Sequence, residues 1–478
     1  MKQTPLQIYM IGIKGVGLTM LAQFLAARGH KVSGSDIKDT FLTDRVLQKA
    51  KIKVFTPFNV KNIPMTVDLI VYSSAYSAGN NPEMAYIKNN PAQFKGIKIL
   101  SYAAALGEVF NNYYGLAVCG SHGKTTTAAW LGYVLWRANK KPNVLVGSRV
   151  PQFQGSSLIG KSKYFVAEVD EYQNKLQYFN PRGVVLNNID YDHPDFFKSP
   201  ASYAQVFADF VKKIPAAGFL IINYRDLESR RVKKHCRGKI ISYDLNDSRL
   251  PIKTSTADYV ASGVKQKNNW QIFTVFNKNK SLGQFKISLF GKHNILNALA
   301  VMAAARELKV PLQLIKKHLS GFKGTERRGQ LLGKYRGALI IDDYAHHPTE
   351  IKTTLSGLKN RYPKKNLITV FHPHTFTRTK ALFQDFVSSF PETNELIVLD
   401  IYGSARESAS WRKGDVSSEQ LIREIIKFNQ VRKISQNVKY FKTISQAVAY
   451  LKKKLSATDL LVLMGAGDVF RIGQKLLK

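Results

Sequence analysis

The stretch GSHGKTTT, residues 120–127, has the residue types and spacing of a loop that binds phosphate. It lies between an apolar, strand-like run and an apolar, helix-like run, which is the setting that such a loop requires. Backbone N–H groups at the start of the helix would face the anion, Lys124 could reach the terminal phosphates, and Thr125 could ligate Mg²⁺. The alternative is a chance lysine in a glycine loop, since Val118 stands where the common pattern has glycine. We expect an ATP site formed by Gly120, Ser121, His122, Gly123, Lys124, Thr125 and Thr126.

Acidic residues follow two further strand-like runs. The stretch EVDE, residues 168–171, comes after residues 164–167, and the stretch NNIDYDH, residues 187–193, ends in a histidine. Carboxylates at the carboxyl end of a strand, near a phosphate loop, are the hard oxygen ligands that Mg²⁺ prefers. Charge on a solvated loop is the usual alternative for an isolated acidic run. The recurrence of acids and a histidine after successive strands favours a magnesium site.

A second glycine loop, GIKGVG at residues 12–17, directly follows the first strand-like run, and Asp36 comes about twenty residues later. This arrangement resembles a dinucleotide fingerprint with its ribose-binding acid, although the glycine spacing is altered. A turn kept only for packing is the alternative. If the loop binds a ligand, any nucleotide or nucleotide-sugar diphosphate would fit it.

Four more stretches place polar groups beside predicted elements: GKHN at 291–294, Arg327-Arg328, DDYAHHP at 342–348 and HPHTFTR at 372–378. The adjacent His346 and His347 could suggest a metal. Pro348 breaks the chain at once, however, and no helical histidine spacing occurs, so contact with a substrate is favoured. In the last stretch, a histidine and an arginine that follow a strand could meet a carboxylate.

The elements that must hold these residues alternate between strand-like and helix-like runs, which predicts βα units and an α/β fold. At 478 residues the chain is too long for one hydrophobic core. We therefore expect three domains, at residues 1–112, 113–322 and 323–478. Polar stretches at 265–269 and 277–280 predict hairpin turns in an added sheet of the middle domain. No internal repeat is found.

Composition limits the classes of protein that fit. The formal net charge of +38 raises the question of nucleic acid, but the lysines are scattered and not gathered with aromatic residues, so no specific nucleic-acid partner is expected. Two cysteines outside any metal-ligand spacing argue against disulfides and structural zinc. Because no signal peptide and no membrane-spanning run is found, we expect a cytoplasmic protein without membrane insertion.

Taken in order, five blocks resemble the Mur ligases over nearly the whole chain: residues 120–127, Glu168 with His193, residues 291–294, Arg327-Arg328 and residues 342–348. The resemblance implies a Rossmann-like N-terminal domain that binds the UDP substrate and a central P-loop domain with a mostly parallel sheet. It also implies a Rossmann-like C-terminal domain that admits the amino acid. The activity implied is ATP-dependent formation of an amide bond through an acyl phosphate, in the synthesis of peptidoglycan precursors.

The same resemblance implies roles for individual residues. Lys124 would stabilise the transferring phosphoryl group, Thr125 and Glu168 would hold Mg²⁺, and His193 would serve a second metal or the acyl-phosphate side. The nucleotide would be framed by His293, Asn294, Arg327 and Asp343, the last two brought in when the C-terminal domain closes. Closure would exclude water that otherwise hydrolyses the acyl phosphate.

Within the family, the first glycine turn and residues 372–379 are similar to the members that add L-alanine to UDP-N-acetylmuramate. That likeness implies substrate contacts from Gly12, Gly15, Gly17, Asp36, Ser74, His346, His374 and Arg378. Residues 171–172 and 178–182, however, look more like the murein tripeptide ligases, and Thr375 stands where the alanine-adding members usually have arginine. The amine thus remains open between L-alanine and a tripeptide, and the oligomer between monomer and homodimer. A basic P-loop ATPase acting on nucleic acid is the alternative of a different class.

Overall fold

The computed structural model describes residues 4–41, 43–246, 255–403 and 415–478. Within these ranges the chain forms three sheets, which span residues 7–101, 114–287 and 330–464. Positions 112 and 322, where we expect domain boundaries, lie between the sheets. No helix in the described ranges combines the length and the apolar character needed to cross a bilayer.

The first sheet has five parallel strands in the order β3-β2-β1-β4-β5. Its buried central strands are near-continuous apolar runs, as expected when helices cover both faces. The elements are β1 (Gln7–Ile11), α1 (Val16–Ala27), β2 (Lys31–Ser35), α2 (Asp44–Lys49), β3 (Lys53–Phe55), a 3₁₀ helix (Val60–Asn62), β4 (Leu69–Tyr72), α3 (Pro82–Asn89), β5 (Lys98–Ser101) and α4 (Tyr102–Asn111).

The second sheet has ten strands in the order β15-β14-β13-β12-β11-β10-β6-β9-β7-β8. The middle of the sheet is parallel, whereas β8, β14 and β15 run antiparallel to their neighbours. The strands are β6 (Tyr114–Cys119), β7 (Asn143–Val150), β8 (Gly155–Leu158), β9 (Tyr164–Glu168), β10 (Gly183–Leu186), β11 (Phe219–Asn223), β12 (Lys239–Asn246), β13 (Tyr259–Lys267), β14 (Trp270–Asn277) and β15 (Lys280–Ile287). The two hairpins that join β13, β14 and β15 turn at the two polar stretches where turns are predicted.

The helices of this unit are α5 (Lys124–Arg137), α6 (Pro200–Val211), α7 (Leu227–Val232), α8 (Lys292–Glu307) and α9 (Leu312–Gly321), with 3₁₀ helices at Pro151–Phe153, Tyr172–Tyr178 and Lys233–His235. Helices α5 and α8 are buried along most of their length and belong to one apolar core. Small residues of α8 allow this close approach, because an alanine-rich surface keeps the helix axes near each other. The phosphate loop therefore starts a helix that is fixed by packing.

The third sheet has the order β16-β17-β21-β18-β19-β20, parallel except for β16. Two apolar cores lie on its opposite faces. The elements are β16 (Gln330–Tyr335), β17 (Ala338–Asp343), α10 (Pro348–Arg361), β18 (Asn366–Phe371), α11 (Phe376–Ala381), α12 (Phe383–Val387), β19 (Glu395–Leu399), α13 (Ser418–Arg432), β20 (Asn437–Phe441), α14 (Ile444–Lys454), β21 (Asp459–Met464) and α15 (Phe470–Leu476). The α/β class and the three-domain arrangement are thus as predicted.

Candidate active site

Three neighbouring strands of the second sheet end at one edge. Strand β6 lies between β9 and β10 and runs parallel to both. Because parallel strands end on the same side of a sheet, the phosphate loop after β6, Glu168 at the end of β9 and Asn187 after β10 converge there. The strand order therefore brings the two acidic stretches to the same edge of the sheet as the phosphate loop.

The phosphate loop depends on its glycines. Gly120 and Gly123 have φ of 117° and 78°, values that side chains rarely adopt. A Cβ on Gly120 would lie 2.6 Å from the backbone carbonyl oxygen of Asn188, and one on Gly123 would lie 2.7 Å from the side-chain amide nitrogen of Asn187. Val118, the departure from the common pattern, is a fully buried residue inside β6. The loop thus begins only after Cys119, and a glycine at Val118 has no role here.

Lys124 lies at the mouth of the loop. Its Nζ donates to the carbonyl oxygen of Gly120 at 2.5 Å and to Oε2 of Glu171 at 3.0 Å. Burial opposes the charge, but Glu171 and nearby carboxylates raise the pKa of Lys124 above its ordinary value. Glu171 also accepts from the hydroxyl of Tyr203 at 2.9 Å. The ammonium is therefore charged and held among acceptors that a phosphate could replace.

The predicted metal ligands fall into two places. The hydroxyl of Thr125 donates to Oε1 of Glu168 at 2.6 Å, so these two residues meet. His193 lies elsewhere, with Nε2 3.9 Å from Glu171, and it forms with Asp170 and Glu171 a group whose ligand atoms lie within 4.8 Å of one another. Hydroxyl and carboxylate oxygens suit Mg²⁺, so the donor chemistry at Thr125 and Glu168 fits that ion.

His122 joins the phosphate loop to the C-terminal unit. Its Nε2 lies 2.9 Å from Asp190, and its Nδ1 lies 3.2 Å from Glu350 on α10. Burial lowers the pKa of His122, but the hydrogen bonds to these two carboxylates outweigh it and raise the pKa to about 9. The residue is therefore an imidazolium at neutral pH, and its ion pair with Glu350 links the central unit to the C-terminal unit.

His347 lies beside His122, with ring centroids 4.7 Å apart. Together with Asp190 these residues form a second group with the geometry to hold a metal. However, Nδ1 of His347 accepts from the backbone N–H of Thr349, and its Nε2 lies 3.2 Å from the carbonyl oxygen of Tyr191. Both ring nitrogens are thus engaged with the backbone, which favours a structural role.

A cleft of about 930 Å³, its open mouth included, lies between the phosphate loop and the C-terminal unit. The residues predicted to contact the nucleotide that line this cleft are His122, Gly123, Thr126, His293, Asn294 and Asp343.

Of the two adjacent arginines, Arg328 lines this cleft and the predicted Arg327 does not. Arg327 has a φ of 59° and donates to Asp342 at 3.2 Å and to the carbonyl oxygen of Gly465 at 2.7 Å.

Two polar groups in the cleft are tuned by burial. Burial lowers the pKa of His293 to about 4, so the ring is neutral at neutral pH, and its buried Nδ1 has no hydrogen-bond partner within the described residues. Burial also raises the pKa of Asp343 to about 6. Asp343 accepts from the backbone N–H groups of Gly329 at 2.6 Å and Ala345 at 2.8 Å, so it holds two loops of the cleft. An unpaired nitrogen in a cleft is suited to a nucleotide's polar groups.

The residues predicted to contact the amine substrate lie together. The rings of His346 and His374 are 6.2 Å apart, and Nδ1 of His374 lies 3.3 Å from Nη1 of Arg378. Arg378 donates from Nε to Oδ1 of Asp192 at 2.8 Å and from Nη2 to Oδ2 at 3.3 Å. Burial, with the nearby cations, lowers the pKa of His374 to about 3. Asp192 could not be predicted from the sequence as the partner of Arg378, because the pairing depends on how two domains meet.

The first glycine loop is closely packed. Gly12 has a φ of 85°, and a Cβ on it would lie 2.6 Å from the ring of Tyr76. A Cβ on Gly17 would lie 2.7 Å from the ring of Tyr102, whereas Gly15 has more room.

Asp36 is buried and accepts from the backbone N–H groups of Lys14 at 2.7 Å and Ile37 at 2.8 Å. Ser74 is exposed. Asp36 therefore holds the loop's shape in this structure.

Comparisons with known proteins match the chain along its length. Residues 7–114 match a family model described as Mur ligase family, catalytic domain. Residues 118–305 match the Mur ligase middle domain, and residues 327–467 match a model described as Mur ligase, glutamate ligase domain. Proteins named UDP-N-acetylmuramate–L-alanine ligase are similar to it. The one from Desulfitobacterium hafniense is 36% identical over 99% of both chains, and that from Clostridium acetobutylicum is 38% identical over 98% of this chain and 97% of the relative.

Solved structures share the fold. A UDP-N-acetylmuramate-alanine ligase from Thermotoga maritima superposes with a TM-score of 0.79 at 21% identity, covering 99% of this chain and 98% of that one. A murein peptide ligase from Psychrobacter arcticus gives a TM-score of 0.71 at 24% identity, again over 99% and 98%. With full-length relatives well above 30% identity and family models matching each of the three units, the chain belongs to the Mur ligase family.

Proposed function

We propose that the chain joins L-alanine to the carboxylate of UDP-N-acetylmuramate, with conversion of ATP to ADP and phosphate, in the synthesis of peptidoglycan precursors. The relatives named for this reaction, at 36–38% identity over nearly the whole chain, support the choice of substrates. Because the reaction consumes ATP, we place it in the cytoplasm.

One structural observation carries the mechanism. Lys124 contacts Glu171 at 3.0 Å, Glu171 lies 3.9 Å from His193, His193 lies 3.8 Å from Asp192, and Asp192 contacts Arg378 at 2.8 Å. A continuous run of ionisable side chains thus connects the phosphate loop with the residues proposed for the amine. Phosphoryl transfer and amide formation need this closeness, because both act on the same carboxyl group.

The proposed reaction has two steps. A carboxylate oxygen of UDP-N-acetylmuramate attacks the γ-phosphorus and ADP leaves. The nitrogen of alanine then attacks the acyl carbon, loses a proton, and phosphate leaves. We propose that Lys124 stabilises charge on the transferring group and that Thr125 and Glu168 would hold Mg²⁺, which would polarise phosphate oxygens when bound. We assign His193 to the acyl-phosphate side, and the neutral His293 with Asn294 and Asp343 to the nucleotide.

The remaining assignments concern the two substrates. We propose that the loop of Gly12, Gly15 and Gly17 admits the UDP group, with Asp36 maintaining that loop and Ser74 exposed beside it. Arg378 pairs with the carboxylate of alanine, and His346 and His374 line its site. A guanidinium suits this task because its planar N–H groups match a carboxylate.

Release of ADP and phosphate, measured against a panel of amines, tests the proposal. We expect turnover only when UDP-N-acetylmuramate, Mg²⁺ and an amine are all present, with L-alanine giving a higher kcat/KM than L-serine, glycine or L-alanyl-D-glutamyl-diaminopimelate. A higher value for the tripeptide would make the amine assignment wrong and leave the ligase chemistry standing. ATP hydrolysis that needs no amine and rises with DNA or RNA would contradict the ligase itself.

A further inference from the structure

We infer that Asp192 is a positioning residue that orients Arg378 toward the carboxylate of the amine substrate. This inference rests on the proposed function, because it assumes that the amine carries a carboxylate that Arg378 binds. Asp192 lies in the loop that follows β10 of the central unit, whereas Arg378 lies on α11 of the C-terminal unit. The two residues are 186 positions apart and meet only because the units meet.

The pair is geometrically well defined. Both oxygens of Asp192 take part, at 2.8 Å from Nε and 3.3 Å from Nη2, so the carboxylate lies along one edge of the guanidinium plane. Asp192 is itself fixed, because its Oδ1 also accepts from the backbone N–H of His193 at 2.7 Å. Both side chains are almost fully buried. A two-point contact between buried partners fixes the rotation of the guanidinium as well as its position.

The donors of Arg378 show what remains for a substrate. A guanidinium has five N–H groups, and Asp192 accepts one from Nε and one from Nη2. Among the described residues, Nη1 has hydrogen-bond contacts only with His374, through its carbonyl oxygen at 3.2 Å and Nδ1 at 3.3 Å. Within the described ranges, the second N–H of Nη2 has no protein acceptor. The edge between Nη1 and Nη2 therefore offers one unused N–H, on Nη2, beside a nitrogen whose acceptors belong to His374, itself a proposed substrate contact. A second carboxylate can bind this edge by accepting from Nη2 and replacing an acceptor of His374 at Nη1.

The opposite role for Asp192 would be competition, in which its carboxylate occupies the place of the substrate's carboxylate. Competition requires both anions to use the same edge of Arg378. Asp192 instead takes the edge that includes Nε and leaves the edge beside His374. Removing the charge of Asp192 should thus leave the guanidinium of Arg378 free to rotate. The preference for an amine substrate that carries a carboxylate should then become weaker, not stronger.

The test compares L-alanine with L-alaninamide, which keeps the amine and the methyl group but lacks the negative charge. In the full-length protein, Asp192→Asn should lower the ratio of kcat/KM for L-alanine over L-alaninamide by about tenfold or more, chiefly by raising the KM for L-alanine. The KM for ATP should not change. General damage to the fold would lower turnover of both amines alike and leave the ratio where it was.

Asp209→Asn is the matched control, because it removes the same charge from an exposed position of α6 in the same unit. Its ratio should equal that of the wild type. The inference is overturned if Asp192→Asn keeps the wild-type ratio, or if it binds L-alanine more tightly, which would show competition. A shifted Mg²⁺ requirement with an unchanged ratio would also overturn it. If the wild type does not use L-alanine at all, the proposed function itself fails, which is a distinct result.

Discussion

The two glycine loops of this protein share a local plan but differ in what their charged side chains contact. In each, a buried parallel strand leads into a glycine with positive φ, a lysine follows, and a helix starts within a few residues. Each lysine also meets backbone carbonyl groups and a carboxylate. Their glycine patterns would therefore suggest similar sites.

The difference lies in the partners. Lys14 donates to the carbonyl oxygens of Ile37 and Asp39, at 3.0 and 2.9 Å, and lies 3.5 Å from Asp44, all within its own unit. Lys124 instead pairs with Glu171, whose neighbours lead across to the C-terminal unit. The contacts of Lys14 thus stay within the N-terminal unit. Lys124 instead lies near the junction of the central and C-terminal units, where a bound ligand could replace its present acceptors.

The largest effect that separates the loops is expected for Lys124→Ala. Without the ammonium, charge on the transferring phosphoryl group loses a stabilising partner, which typically costs about 3–4 kcal/mol, or on the order of a hundred- to a thousand-fold in kcat. The far-ultraviolet circular dichroism should remain that of the folded wild type. Near-wild-type turnover in the ADP-release assay would mean that this loop does not serve the reaction.

The pH dependence of stability should also differ between the loops, because only the second contains a histidine with a raised pKa. His122 faces Asp190 and Glu350, with the ring of His347 tilted against it, and its pKa rises from about 6.5 to about 9 on folding. Its contribution is fully present below pH about 6.5, declines above it, and is lost as the pH passes about 9. By linkage it amounts to at most about 3 kcal/mol.

We therefore expect the difference in thermal midpoint between the wild type and His122→Gln to shrink as the pH rises from 6.5 to 9, by calorimetry. The matched control is His30→Gln in the first unit, since burial lowers the pKa of His30 below its ordinary value and so moves its titration away from that pH range. The difference in thermal midpoint between the wild type and His30→Gln should stay constant over that range. A constant difference for His122→Gln as well would show that the imidazolium does not stabilise the junction between the units.

The sequence was sufficient where the site depends on neighbouring elements of one sheet. The phosphate loop, Thr125 and Glu168 could be predicted together because they sit at the ends of adjacent parallel strands, whose carboxyl ends must share an edge. The hairpin turns between β13, β14 and β15 were likewise predicted, since polar turn residues act locally.

The sequence was insufficient where side chains are oriented by backbone details or by contacts between domains. The positive φ of Arg327 directs this side chain to Asp342 and leaves Arg328 on the cleft, and an arginine pair gives no signal for which member faces inward. The contacts of Arg378 with Asp192 and of His122 with Glu350 join residues far apart in the chain. Such pairs form only when folded domains pack against each other, so no local sequence pattern predicts them.

The smallest effect is expected for Lys14→Ala, which tests whether the first lysine is only structural. The substitution removes hydrogen bonds from a charged donor to two carbonyl oxygens, but it also removes the free-energy penalty of burying an ammonium, so the net loss of stability should be about 1–2 kcal/mol. The loop should keep its shape, because Asp36 accepts from the backbone N–H of residue 14, which alanine retains. With saturating substrates, kcat should equal the wild-type value, while the thermal midpoint falls slightly. If turnover instead drops as far as in Lys124→Ala, Lys14 acts on a reacting phosphate as well, and the distinction between the two loops is wrong.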